Sequence, residues 1–149
     1  MYLITQSLLS SWNYLMSCRE ECKDDAYADF LNTLNRVPKE TMPEMQNGLD
    51  FENEVYKAAA GTPRAAHSKW EAGIHAVATL LKGAPVQVKA SRELSVAGMD
   101  FLVYGIMDAL KAGVIYDVKF SNKSFGSADL AGKYLDSPQH PAYFYLEPE

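Results

Sequence analysis

The 149-residue chain carries 48% hydrophobic and 22% charged side chains, ordinary globular usage that excludes a disordered, collagen-like or coiled-coil protein. Its 19 acidic against 14 basic residues leave a formal charge of -5, so no global basic field draws it to nucleic acid. No apolar run approaches the roughly 18 residues of a membrane span, and Met1–Gln6 offers neither a basic stretch nor a small-residue cleavage site, so a cytoplasmic rather than a secreted or membrane protein is expected.

The length fits one domain and allows a sizeable core, with about 68–70% of the unfolded surface buried. The acidic excess is local: residues 1–60 hold ten acids and five bases, residues 61–149 nine of each. Such an N-terminal half repels phosphate in general and can still gather carboxylates for a metal. The sequence has two cysteines, Cys18 and Cys22. On one helix they would share a face, close no long loop, and supply half of a four-ligand zinc site, so reduced thiols are expected.

In chain order, Leu8, Leu9, Trp12, Leu15 and Met16 predict a helix over 5–18 with Thr5 or Ser7 as cap. A second helix is predicted over about 24–35, with Ala26, Phe30, Leu31 and Leu34 on one side. Val37–Pro43 reads as a linker inside one domain, since two prolines deny it helical continuity. A third helix is predicted from Asn47 or Gly48 to about Ala60, and a fourth over about 65–82, with a stripe of Trp70, Ile74, Val77, Ala78 and Leu81 and Gly83 as C-terminal cap. From Pro85 to Phe120 the chain is rich in Val, Ile, Tyr and Phe, broken at Ala97-Gly98 and Lys111-Ala112-Gly113, the punctuation of a three-stranded β-meander. A polar loop with Gly126 and Gly132 follows, then a helix opening at Ser137-Pro138. The fold class is α/β or α+β, with a helical part over 1–82 and sheet plus final helix over 85–149.

The chemistry concentrates around the last hairpin. If Ala112-Gly113 is its two-residue turn, Lys111 faces Val114, Leu110 faces Ile115, Ala109 faces Tyr116, and Asp108 faces Asp117, with Lys119 on the same sheet face. Opposed like charges among Ile106, Leu110 and Ile115 destabilise a strand pair unless something neutralises them. A divalent cation does so by ligation, and Lys119 beside it can orient a water and balance charge on a phosphate. A hairpin whose polar face meets solvent is the competing reading. On the third helix, Leu49, Glu52, Val55, Tyr56 and Ala59 form one face, and Glu52 is its only charge. A metal on the adjoining sheet would partner it, and an edge position reaching water would serve equally. Gln139 and Tyr143 stand at i and i+4 near the positive end of the last helix, suited to a phosphate or a nucleotide edge, or to packing with Leu146.

Taken together, Gly48-Leu49-Asp50-Phe51-Glu52, Gly105-Ile106-Met107-Asp108, Asp117-Val118-Lys119 and the QxxxY motif Gln139–Tyr143 resemble the PD-(D/E)XK nuclease superfamily, in its RecB-like, phage-type exonuclease branch. The opening Ser7–Trp12 through Cys18 is similar to the start of such proteins, so the resemblance covers most of the chain. It implies a single nuclease-like domain over 1–149 with a restriction-endonuclease-like core: a central mixed sheet flanked by helices. It also implies metal-dependent hydrolysis of phosphodiester bonds in DNA, as in phage or bacterial recombination and repair. Glu52, Asp108, Asp117 and the Val118 carbonyl would then hold one or two Mg²⁺ or Mn²⁺ ions. Lys119 would position the attacking water, and Gln139 and Tyr143 would contact DNA. Many members have histidine where Glu52 stands. The iron–sulfur branch needs four cysteines, so no cluster is expected here. The family core usually has a further strand after the QxxxY helix, so the resemblance leaves two readings, a C-terminally incomplete core or a reduced family member. The alternative from another class is a catalytically silent nucleic-acid-binding or assembly module that keeps the fold.

Overall fold

The computed structural model describes residues 1–64, 69–121, 132 and 136–147. The protein is α+β, with a mixed four-stranded sheet and helices around it. The helix start expected at 65 and the polar loop beyond Ser121, with Gly126, lie outside the described residues. The chain divides into two compact units: residues 1–39, 89–105 and 127–149, and residues 40–88 and 106–126. No described helix is long and apolar enough to cross a membrane.

Strand β1 (Tyr2–Thr5) opens the first unit and leads directly into α1 (Gln6–Ser17). The Thr5 hydroxyl accepts the Leu8 N–H at 3.3 Å, closing the first turn as the sequence predicts. Helix α1 ends at Ser17, because Cys18 turns extended (φ -69°, ψ 158°). Cys22 lies in a separate 3₁₀ turn, Glu20–Cys22. The expectation of both thiols on one helix is therefore corrected; both cysteines are free and half-buried. Lys23 opens α2 (Lys23–Leu34) and reaches back to donate to the Leu15 carbonyl at 2.6 Å, satisfying an acceptor the ended helix leaves over. The two helices meet through Trp12 and Phe30, ring centroids 5.3 Å apart, over the buried Ala26.

The expected three strands are joined by a fourth, β1, which pairs in parallel with β3 (Met99–Lys111): Tyr2 opposite Phe101 through Thr5 opposite Tyr104. Strand β2 (Val86–Val96) pairs with β3 after the turn Ala97-Gly98, where φ is 51° and 76°. Positive φ at both turn residues is the type I′ geometry that matches strand twist. Helix α5 (Gln139–Leu146) completes this unit. Ala142, Tyr143 and Leu146 are buried, and Arg92 donates to the Tyr145 carbonyl at 3.0 Å while the Tyr145 hydroxyl donates to the Glu93 carbonyl at 2.7 Å. Gly105 is required by contact: a Cβ there would stand 2.7 Å from Leu146 Cδ1 and 3.3 Å from Tyr143 Cε1.

The second unit is built on α3 (Pro43–Ala59) and α4 (Glu71–Leu81). Pro43 begins α3 rather than ending a linker, since its fixed φ and missing N–H suit the first helical position. The buried face of α3 is also shifted from the expected one: Phe51 and Val55 are inside, whereas Leu49 is 48% exposed. On α4 the predicted stripe holds, with Ile74, Ala78 and Leu81 buried and Gly83 in the left-handed region at φ 77°. Phe51, Val55, Ile74 and Leu81 form one cluster with Ala109, walled by Trp70, Tyr116, Val118 and Phe120. Phe51, Trp70 and Phe120 pack as a triad with centroids 5.0–6.2 Å apart. Each fully buried aliphatic side chain here contributes about 1.5–3 kcal/mol.

Candidate functional site

The last hairpin forms as its spacing predicts. Ala112 and Gly113 make the turn, at φ 50° and 77°, and Lys111, Leu110 and Ala109 face Val114, Ile115 and Tyr116. Strand β4 (Val114–Tyr116) then ends, one pair short of the expected Asp108–Asp117 step. What stops the ladder is Asp108 itself. Its Oδ2 accepts the Val118 N–H at 2.7 Å, so a side chain takes over from the backbone. The environment also departs from the apolar face expected around Ile106, Leu110 and Ile115. Along β3 the buried positions are Val103, Gly105, Met107 and Ala109. Asp108 lies on the opposite, half-open face, where Ile106 is 36% exposed.

Even half-buried, Asp108 is strongly perturbed. Burial pushes its carboxyl up to about 6, against the opposing pull of the Val118 N–H, and the charges of Glu52 and Asp117 raise it further while Lys119 lowers it. Glu52, Asp117 and Lys119, the other expected charged site residues, therefore all act on Asp108 within this unit. Lys119 Nζ lies 3.0 Å from Asp117 Oδ1. Val118 meets Asp108 through its N–H, not through the carbonyl expected to hold a metal.

Glu52 comes from α3, on the flank of the buried Phe51–Val55 face. Tyr56, one turn on, donates its hydroxyl to Glu52 Oε1 at 2.7 Å. Gln87 Nε2 donates to the same oxygen at 3.1 Å and to the Tyr56 hydroxyl at 3.0 Å. Burial and its bond to Glu52 raise the Tyr56 phenol far above the ordinary 10, with Asp108 adding to the effect, so it stays a donor across the ordinary pH range. In the sequence Tyr56 stands on the Glu52 stripe, but nothing there assigns it a role. Gln87 carries no signal at all, being one polar residue in an alternating strand. Glu52 and Lys119 line an open cleft of about 540 Å³ with Thr41, Glu44, Met45, Leu49 and Phe120. Asp117 and Lys119 also border a smaller cavity of about 290 Å³, walled by Val77, Leu80, Leu81 and Tyr116.

Gln139 and Tyr143 belong to the other unit. The Gln139 amide donates to the Tyr143 hydroxyl at 3.2 Å, as the i, i+4 spacing allows, and the Ser137 hydroxyl accepts the Gln139 N–H at 3.3 Å. The Tyr143 ring is 6% exposed, against Gly105. What Tyr143 offers locally is a hydroxyl that accepts the Gln139 amide.

The fit of a divalent ion rests on the donors. Glu52, Asp108 and Asp117 are hard oxygen ligands of the kind Mg²⁺ and Mn²⁺ take. The desolvated Asp108, raised by two neighbouring carboxylates, is a site where added positive charge is favourable. Among the described residues, however, no three His, Cys, Asp or Glu side chains already converge as a metal-holding group. Each carboxylate instead has a protein partner: the Val118 N–H, the Tyr56–Gln87 pair, or Lys119. Compared with protein families, with curated proteins and with solved structures, the chain matches none.

Proposed function

We propose that this protein is a divalent-metal-dependent nuclease that hydrolyses phosphodiester bonds in DNA, of the exonuclease type its motifs resemble. The observation that carries the reading is the Asp108 carboxyl, pushed up by burial with Glu52 and Asp117 adding to it, in the unit whose Glu52 and Lys119 line an open cleft. A carboxyl so shifted by burial and by specific charged neighbours is a functional-site candidate. Glu52, Asp108 and Asp117 would hold one or two Mg²⁺ or Mn²⁺ ions, with the Val118 carbonyl as a further oxygen. A bound ion supplies Lewis-acid charge neutralisation at the phosphate and a water of lowered pKa. Lys119, 40% exposed at the cleft, orients that water and balances charge developing on the phosphate oxygens. Gln139, held by Tyr143, is proposed as a nucleic-acid contact.

The deciding experiment is incubation with linear DNA in Mg²⁺ or Mn²⁺. Degradation that disappears in Asp117→Ala and Lys119→Ala supports the reading. No degradation by folded protein in either metal rejects it. A specific observation favours the second reading, a silent nucleic-acid-binding module: each carboxylate is already engaged by a protein donor or cation. Calorimetric titration separates the two, since Mn²⁺ binding lost in Asp108→Ala supports the nuclease and absence of binding supports the module.

A further inference from the structure

Four described non-glycine residues have positive φ. Ala97 and Ala112 are turn residues, and Arg36 follows the end of α2. Gln87, at φ 53°, lies inside strand β2. A left-handed residue within a strand breaks the pleat and re-aims the side chain, as a bulge does, and for glutamine it is unfavourable. Strain of this kind gathers at functional sites, where the surrounding structure holds it in place.

The direction of the re-aimed side chain is specific. The Gln87 amide reaches across 35 positions to Glu52 Oε1 at 3.1 Å and joins the Tyr56 hydroxyl at 3.0 Å, which itself donates to Oε1 at 2.7 Å. The three groups close a ring of hydrogen bonds. Both donors occupy the same carboxylate oxygen, so Oε2 is the one Glu52 has left to offer. Gln87 is solvent-exposed, where an amide–carboxylate bond exchanges with water and adds little to folding. A strained, exposed residue that stabilises little is better explained by what it does to Glu52.

We propose that Gln87 is a positioning residue for Glu52, fixing with Tyr56 which oxygen that carboxylate presents to a divalent ion. The inference rests on the metal reading of the site. Outer partners of this kind are worth about 10–100-fold in metal affinity when removed.

The test is calorimetric titration of the full chain with Mn²⁺, paired with thermal melts in EDTA. Gln87→Gly is the informative variant, because glycine tolerates positive φ and removes only the amide. Its melting midpoint should equal or exceed that of the wild type, while Mn²⁺ affinity falls about 10–100-fold. Gln87→Asn, which also tolerates this backbone but is one methylene short, should bind as weakly. In a Glu52→Gln background Gln87→Gly should add no further loss, as coupled residues do. Unchanged affinity in Gln87→Gly, or an equal loss in the Glu52→Gln background, overturns the inference while wild-type binding leaves the metal reading intact. A folded wild-type protein that takes up no Mn²⁺ overturns both.

Discussion

The carboxyl of Asp108 yields a thermodynamic prediction that needs no substrate. Burial, with Glu52 and Asp117 adding to it, moves the group from 3.8 to about 6. At about 1.36 kcal/mol per tenfold change, that displacement sets a ceiling of about 3 kcal/mol on the cost of keeping Asp108 ionised in the folded state. The carboxyl is only half-buried, and solvent screening leaves about 1–2 kcal/mol of it. The folded state holds the proton more tightly than the unfolded one. This contribution therefore favours folding at acid pH and is lost as pH rises from 3.8 through about 6. Asp108→Asn removes the charge and keeps an oxygen for the Val118 N–H. In EDTA at about pH 8 the variant should be the more stable protein by about 1–2 kcal/mol, equivalent to about 2–8 °C in Tm. At about pH 4 the gap should nearly close. On the proposed metal reading, saturating Mn²⁺ should invert the order, because the wild type alone would then gain binding free energy in the folded state. The assay is a set of thermal melts of both proteins at the two pH values, with and without Mn²⁺. A variant less stable than wild type at about pH 8 in EDTA, or a gap independent of pH, would refute the argument from repulsion and burial.

Gly105→Ala should destabilise by about 1–3 kcal/mol, because its Cβ would stand 2.7 Å from Leu146 Cδ1. Urea unfolding of Gly105→Ala/Leu146→Ala should show less than the summed cost of the two single changes. Ala112→Asn should stabilise by about 1 kcal/mol in urea unfolding, since asparagine accepts the φ of 50° that alanine resists; a fall would contradict the turn type. Lys111→Met should cost about 1–2 kcal/mol by equilibrium unfolding, as Lys111 Nζ donates to the carbonyls of Leu80 and Lys82 at 3.0 and 2.8 Å, at the end of α4.

The hairpin is legible in the sequence because a two-residue turn fixes register, and a single dipeptide, Ala112-Gly113, therefore places every side chain from Ala109 to Tyr116. The stripe on α4 is legible for a similar reason, its buried residues recurring at one period. Strand β1 is not, since four residues that pair with a partner about 100 positions away carry no local period of their own. The start of α3 is easily misplaced because Pro43 reads as a breaker from one side and as a first helical residue from the other. Around the candidate site, charge spacing brings out Asp108, Asp117 and Lys119 but not the point where the ladder stops. A side chain capturing the Val118 N–H is a tertiary choice. Gln87 is invisible for the deepest reason: its role depends on a backbone conformation that no glycine announces.

The two tryptophans are distributed in a way that makes the chain its own spectroscopic gauge. Trp12, 48% exposed beside Phe30, belongs to the first unit, and Trp70, at the core edge between Phe51 and Phe120, belongs to the second. Removing either indole by Trp→Phe leaves an emission signal that reports on one unit alone. Superimposable denaturation curves from the two single-tryptophan proteins would mean that both units unfold in one cooperative step, and separated midpoints would rank the unit carrying Asp108 against the unit carrying Gly105.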